Sequence, residues 1–304
     1  MRPVSILGVP TDFGANRRGV DMGPSAIRYG GLYEALDDAG IEWTDVGDLR
    51  TPRTAVSGQR RTTTNSGMTR HREETAEVCS RVADRVETIL EEGSTPLVLG
   101  GDHSVALGTL VGDERGGPMG ALWFDAHADF NTPETSPSGN IHGMPLASAL
   151  GYGSLGDEPW AYAPQLYEDR VALIGLRDID DAEAELLEES DVTVFTMTDI
   201  DRRGIGSVVQ DAIEIATDGD GEIHVSLDLD WLDPNEAPGV GTPVRGGVTY
   251  REAHTAMEYV AELVPAESIR SMELVEVNPI LDRTNETAKL ACELVASAFG
   301  KRVL

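Results

Sequence analysis

The sequence predicts an α/β protein, a three-layer α/β/α fold on a mainly parallel sheet. Two observations carry that expectation. Apolar runs of strand length alternate with longer stretches of helical periodicity, the pattern of parallel strands joined by crossover helices. The residues suited to metal chemistry stand just after those runs, where open parallel sheets bind ligands. The 304 residues show no repeat, no low-complexity tract and no compositional break, so a single domain over 1–304 is expected.

Val4–Val9 reads as the first buried strand, followed by a glycine-rich loop from Thr11 to Gly23 and a helix starting near Pro24-Ser25. Residues 51–70 are polar, rich in Thr, Arg and Gly, and read as an exposed loop. Val78, Val82, Val86 and Leu90 then recur every four residues, a buried helical stripe that stops at Gly93, a residue suited to a left-handed C-terminal cap. Leu97–Leu99, Ala121–Phe124, Val171–Leu176, Val192–Phe195, Ile223–Leu229 and Ile269–Val275 are the further strand candidates. The helical stretches among and after them are Ala182–Glu189, Val208–Ala216, Tyr250–Leu263 and Glu286–Phe299.

Charge excludes several function classes. Asp and Glu number 53 against 24 Lys and Arg, a net charge of −29, which disfavours nucleic acid and anionic membranes as partners. Only Lys289 and Lys301 are lysines, and their scarcity argues against Schiff-base chemistry. Steering of a cationic substrate is one reading of the acidity. A surface adapted to a salt-rich, halophilic cytoplasm is the preferred one, because at about 1 M salt a Debye length of ~3 Å erases long-range steering. The apolar runs are too short to span a bilayer, and Met1-Arg2-Pro3-Val4 lacks the character of a signal peptide, so a soluble cytoplasmic protein is expected. Cys79 and Cys292 form no CxxC pair and no disulfide framework; Cys79 reads as a small core residue.

The chemistry gathers in four places. Asp125, His127 and Asp129 alternate with Ala126 and Ala128, so in extended chain they point to one side. Asp228 and Asp230 obey the same period-two rule at the end of the Ile223 strand. His103 follows Leu97–Leu99, and Glu276 follows Ile269–Val275. Buried carboxylates and imidazoles at such density call for a cation. Six ligands, His103, Asp125, His127, Asp129, Asp228 and Asp230, are too many for one structural zinc. An oxygen-dominated set suits two octahedral divalent ions, manganese with cobalt or nickel able to substitute, which is equipment for metal-assisted hydrolysis.

Gly100-Gly101-Asp102-His103-Ser104, Asp125-Ala126-His127-Ala128-Asp129 and the run from Ser226 to Pro234 resemble the three signature blocks of the ureohydrolases, the family of arginase, agmatinase and formimidoylglutamase. Gly19-Val20-Asp21-Met22-Gly23-Pro24 and Glu276-Val277-Asn278-Pro279 extend the likeness over nearly the whole chain, closest to arginase. The resemblance implies hydrolysis of L-arginine to L-ornithine and urea by a hydroxide bridging two Mn²⁺. His103, Asp125, Asp129 and Asp228 would hold one ion and His127, Asp125, Asp228 and Asp230 the other. It further implies Glu276 facing the guanidinium, Asp129 relaying a proton to the leaving nitrogen, and His142 as a proton shuttle or general acid. Asn131 and Ser138 would bind the substrate α-carboxylate, Asp180 with Glu183 nearby the α-ammonium, and Thr242 matches another active-site position. The carboxylate loop departs from the family pattern at Glu134 and Pro137, an extra acid where an anionic group is expected. A homotrimer or homohexamer is also implied. Agmatine or another guanidino compound as substrate, and a non-catalytic metal- or arginine-binding role, are the competing readings.

The remaining polar residues have plainer expectations. His71 sits in an Arg-rich polar stretch and is expected in solvent; His254, on an amphipathic helix, is expected exposed as well. His224 shares the side of Asp228 and Asp230 one alternation further from the strand end, a place for core packing or support of the ligands. Asp102 reads as a loop residue or such a support, and Asn285-Glu286-Thr287 as an incidental glycosylation sequon. Neither a Walker A motif nor a dinucleotide-binding glycine fingerprint is present.

Overall fold

The computed structural model describes residues 2–15, 17–52, 69–114, 116–219 and 221–303. Residues 53–68 lie outside these, and with them most of the loop expected at 51–70. The elements run β1 (Val4–Val9), α1 (Gly23–Tyr29), α2 (Leu32–Asp38), β2 (Trp43–Asp48), α3 (Arg72–Glu91), β3 (Thr95–Gly100), α4 (Val105–Glu114), β4 (Met119–Phe124) and α5 (Pro145–Ala149). They continue β5 (Leu166–Leu176), α6 (Asp181–Glu189), β6 (Thr193–Thr196), α7 (Met197–Arg203), α8 (Ile205–Thr217), β7 (Glu222–Asp228), α9 (Tyr250–Leu263), β8 (Ile269–Val275) and α10 (Glu286–Ala298). Among the described residues the strands form one eight-stranded sheet in the order β2-β1-β3-β8-β7-β4-β5-β6, and every pairing is parallel. No helix of the described residues is long and apolar enough to cross a membrane.

Alternation along the central strands makes the three layers. Ile6, Leu97, Leu99, Leu122, Phe124, Val225, Leu227, Met272 and Leu274 join one core with residues of α1, α2, α8, α9 and α10. Their neighbours Leu7, Val98 and Val275 turn to the other face, against α3, and Ala121 and Trp123 against α4 and α5. Both faces are covered, as parallel sheets require, so the strands read as near-continuous apolar runs. The helix α3 buries Val78, Val82 and Val86 as their spacing predicts, with Cys79 in the same face, but the fourth residue of the stripe is Ile89 rather than the half-buried Leu90, because a strict four-residue step drifts off a 3.6-residue turn. It packs tightly on α4: a Cβ at Gly108 would stand 2.6 Å from the Cys79 carbonyl, and one at Gly112 2.7 Å from that of Ala83.

Three departures from the expected elements have physical causes. The strand β2 was not foreseen because it pairs only with β1 at the sheet edge and is half-exposed, so it carries no apolar run. The helix α4 is buried all round from Val105 to Asp113 and therefore shows no amphipathic period. His254 is a correction: it is fully buried, not exposed, because it lies beside Ala253, Ala256 and Met257 on the face of α9 that packs on α10, where Nδ1 meets Ser297 Oγ at 2.8 Å.

Candidate metal centre and active site

The site forms where β3, β4, β7 and β8 end together. Because β8-β7-β4 are neighbours in register, with Leu274 opposite Leu227 and Leu227 opposite Phe124, the residues following each strand converge past one edge. His103 Nδ1 lies 2.8 Å from Asp129 Oδ2 and 3.2 Å from both Asp125 Oδ2 and Asp228 Oδ2. His127 Nδ1 lies 3.1 Å from Asp230 Oδ2 and 3.5 Å from Asp125 Oδ1. Two compact ligand groups result, His103-Asp125-Asp129 and Asp125-His127-Asp230, and Asp125 belongs to both. All the carboxylates are buried.

Several details fit this set to cations. His103 Nδ1 and Asp129 Oδ2 are buried 2.8 Å apart but are not aligned as a hydrogen-bonded pair, and neither has another hydrogen-bond partner among the described residues. Burial would lower both imidazoles, yet the crowding carboxylates, Asp129 around His103 and Asp230 around His127, lift them well above the usual histidine range. Burial and the negative neighbours Asp230 and Asp125 push Asp228 well up in turn. This crowding favours positive charge among the groups, and divalent ions would supply it. Asp129, at φ 52°, holds a backbone conformation that costs an ordinary residue energy and is kept where a side chain must be aimed.

Glu276, at φ 64°, is aimed in the same way. Its Oε1 accepts the His103 backbone N–H at 3.1 Å and faces His142 Nδ1 at 3.1 Å, while Oε2 is buried with no hydrogen-bond partner. Burial tends to lower His142, but the hydrogen bond and charge of Glu276 outweigh it and push the imidazole up to about 8. His142 sits on a short 3₁₀ turn, Ile141–Gly143, with 14% of its side chain exposed. Asp102 supports that turn from beneath, as expected of it: its carboxylate accepts from Gly14 N at 3.0 Å and from Ser104, and the Gly14 carbonyl receives His142 N.

A cavity of about 130 Å³ opens on this set, lined by His103, His127, Asp129, Asn131, His142, Gly143, Glu183, Asp228, Asp230 and Thr242. Thr242 Oγ1 donates to Asp230 Oδ2 at 2.7 Å. Glu183 is buried, which pushes its carboxyl up to about 7. Asp180 is not on the cavity wall. It caps α6, accepting from Ala182 N and Glu183 N, and receives Asn131 Nδ2 at 2.9 Å. Ser138 is also off the wall, its Oγ accepting Asn140 N at 3.1 Å. Glu134 turns away to Ser154 N at 3.3 Å, which removes the extra acid of that loop from the site. His71 is exposed, as expected. Sequence reasoning did not single out Arg177, whose guanidinium ties the Asp230, Leu232 and Val244 carbonyls together and so joins a ligand loop to the Thr242 loop. A lone Arg after an apolar strand carries no signal of such a role.

A doubly covered parallel sheet with carboxylate-rich ligand groups past its strand ends defines a metal-dependent α/β protein. Comparison with known proteins narrows that class. The Arginase family model matches residues 2–300. An arginase from Bacillus caldovelox is 46% identical over 312 residues, covering 100% of both chains. The solved structure of arginase from that organism superimposes with a TM-score of 0.92 over the full length of both chains at 45% identity. An arginase from Entamoeba histolytica, solved in complex with L-ornithine, gives a TM-score of 0.86 at 29% identity over 99% of each chain. The chain belongs to the arginase family.

Proposed function

We propose that this protein, a single domain over 1–304, hydrolyses L-arginine to L-ornithine and urea. The observation that carries the reading is the pair of ligand groups sharing Asp125 and opening on one cavity, together with family membership. Two Mn²⁺ per subunit are the expected ions, held by His103, Asp125, Asp129 and Asp228 and by His127, Asp125, Asp228 and Asp230. Such ions lower the pKa of water so that a nucleophile exists at neutral pH.

The chain's own residues do the rest. Glu276 Oε2, the carboxylate oxygen without a partner, accepts from the planar guanidinium, for which paired N–H donors are well shaped. Glu276 Oε1 keeps His142 protonated near neutrality, and the ring's partial exposure lets it exchange that proton with solvent. Asp129 passes a proton to the leaving nitrogen. Asn131 and Ser138 bind the α-carboxylate; Asp180, which already holds Asn131, and Glu183 on the cavity wall meet the α-ammonium; Thr242 steadies Asp230. The acidic surface serves a salt-rich cytoplasm, and the working form is a homotrimer or homohexamer.

Urea and ornithine release from L-arginine, with added Mn²⁺ and multimolar KCl, tests the reading. Agmatine presents the same guanidinium without the carboxylate, so polar groups left unpaired should cost ~1–3 kcal/mol each. Two or three such contacts correspond to roughly 10²–10⁵-fold in kcat/KM. Equal efficiency on agmatine would overturn the substrate assignment, and metal binding without turnover of either would favour a binding protein.

A further inference from the structure

Behind the ligand groups lies a second buried polar row that the reaction does not use. Parallel register sets His224 of β7 opposite Ser271 of β8 and Ser226 opposite Glu273. These four side chains and Asp113 of α4 are fully buried. They point to the face that Val275 shares with α3, since their neighbours Val225, Leu227, Met272 and Leu274 fill the opposite core. Placing two carboxylates and an imidazole there is costly unless each is paired.

The hydrogen-bond directions are determined by what each group can donate. An ionised carboxylate only accepts, so Ser226 Oγ gives its single proton to Glu273 Oε1, 2.8 Å away. The Ser226 hydroxyl oxygen lies 2.8 Å from His103 Nε2 and, its proton already given, must accept there. In the neutral imidazole that can ligate, the proton of His103 is thus the one on Nε2, and the lone pair falls on Nδ1, the atom surrounded by Asp125, Asp129 and Asp228. The arrangement repeats two residues back along each strand. Ser271 donates to Asp113 and accepts from His224 Nδ1 at 2.7 Å, while His224 Nε2 faces Glu273 Oε1 at 3.4 Å. His224 stands between the Asp113 and Glu273 carboxylates, 3.3 and 3.4 Å away, and so presents its ring to Glu273 as a donor, leaving Glu273 to accept from Ser226. Trp123 stacks on the His103 ring at 4.5 Å and blocks a tilt.

We propose that Glu273, acting through the Ser226 hydroxyl, is a positioning residue for the metal centre: it holds His103 in the tautomer whose Nδ1 ligates, with His224, Ser271 and Asp113 as its support. The inference rests on the two-ion reading above. Partners of this kind fix the orientation and basicity of a ligating imidazole, and losing one weakens metal binding roughly 10–100-fold.

The test uses the full chain stripped by chelator and titrated calorimetrically with Mn²⁺, and the Zn²⁺-loaded protein for the NMR resonance of the His103 Nε2 proton. Ser226→Ala should weaken one of two ion sites by ~10–100-fold and move that resonance upfield, whereas Ser226→Thr, which keeps the hydroxyl, should restore both. Glu273→Gln, isosteric but able to donate, is the second variant and should act in the same direction as Ser226→Ala. Two wild-type affinities and an unmoved resonance in both variants would overturn the proposal. So would equal weakening of both sites that Ser226→Thr fails to repair, the mark of general damage. Wild-type protein that binds no divalent ion would instead overturn the metal reading itself.

Discussion

Replacing Glu276 by Gln should release His142 from its raised pKa. In the metal-free protein the imidazole is pushed up to about 8 against a burial effect that pulls it down, and the counterweight is the Glu276 carboxylate at 3.1 Å. Gln keeps the side-chain volume but removes the charge. With its strongest raising partner gone, and only the charges of Asp102 and Asp129 left to offset burial, His142 should then titrate near its ordinary 6.5. A change of about 1.5 units corresponds to ~2 kcal/mol of differential interaction. The sign of the stability effect follows from linkage. A folded pKa above the unfolded value stabilises fully below about 6.5, and this contribution is lost as pH rises through about 8. The wild type should therefore lose up to ~2 kcal/mol more than Glu276→Gln between pH 6 and pH 9. NMR titration of the His142 ring in both proteins, with denaturant unfolding at the two pH values, measures it. A variant His142 still titrating near 8 would refute the reasoning and transfer the effect to Asp102 and Asp129.

Asp125→Ala removes a carboxylate that belongs to both compact ligand groups, so Mn²⁺ binding at both sites should fall by more than ~10²-fold, beyond the loss of an outer partner, and turnover with it; calorimetry showing either site at wild-type affinity would count against sharing. Asn131→Ala and Ser138→Ala should each lower kcat/KM for arginine by roughly 5–150-fold while leaving any agmatine rate nearly unchanged, which steady-state kinetics on both substrates decides. With a net charge of −29, the protein should gain stability as KCl screens self-repulsion, its thermal midpoint rising by ~3 °C or more from 0.1 M to 2 M, the shift that ~2 kcal/mol produces at this length. A midpoint that does not move would reopen the steering reading of the acidic surface.

Much of the fold and the ligand set was legible because both depend on local periodicity. Apolar runs announce the strands, and the metal-type residues follow directly on them, although the alternation itself stops short: β4 ends at Phe124, Asp129 turns to φ 52°, and Asp230 lies in the 3₁₀ turn Leu229–Trp231. Residues at strand ends keep their meaning once the sheet is known to be parallel. What the pattern left blank were elements without a period, the half-exposed edge strand β2 and the wholly buried helix α4, and the helices α5 and α7, too short to show one.

Residues whose surroundings come from distant segments were decided only by tertiary structure. His254 is buried because α10, some forty residues on, covers its face of α9. Glu134 leaves the site because the Ser154 backbone N–H is within its reach. Asp180 and Glu183 divide their duties, one capping α6 and the other lining the cavity, through a hydrogen-bond geometry that spacing cannot express. The protonated nitrogen of His103 depends on Glu273, which lies 170 residues further along the chain and becomes its neighbour's acceptor only through the register of β7 on β8. Sequence alone thus determined which groups of which chemistry stand at strand ends, since that is a property of neighbouring residues; partners, protonation and burial required the packed sheet, since they are properties of space.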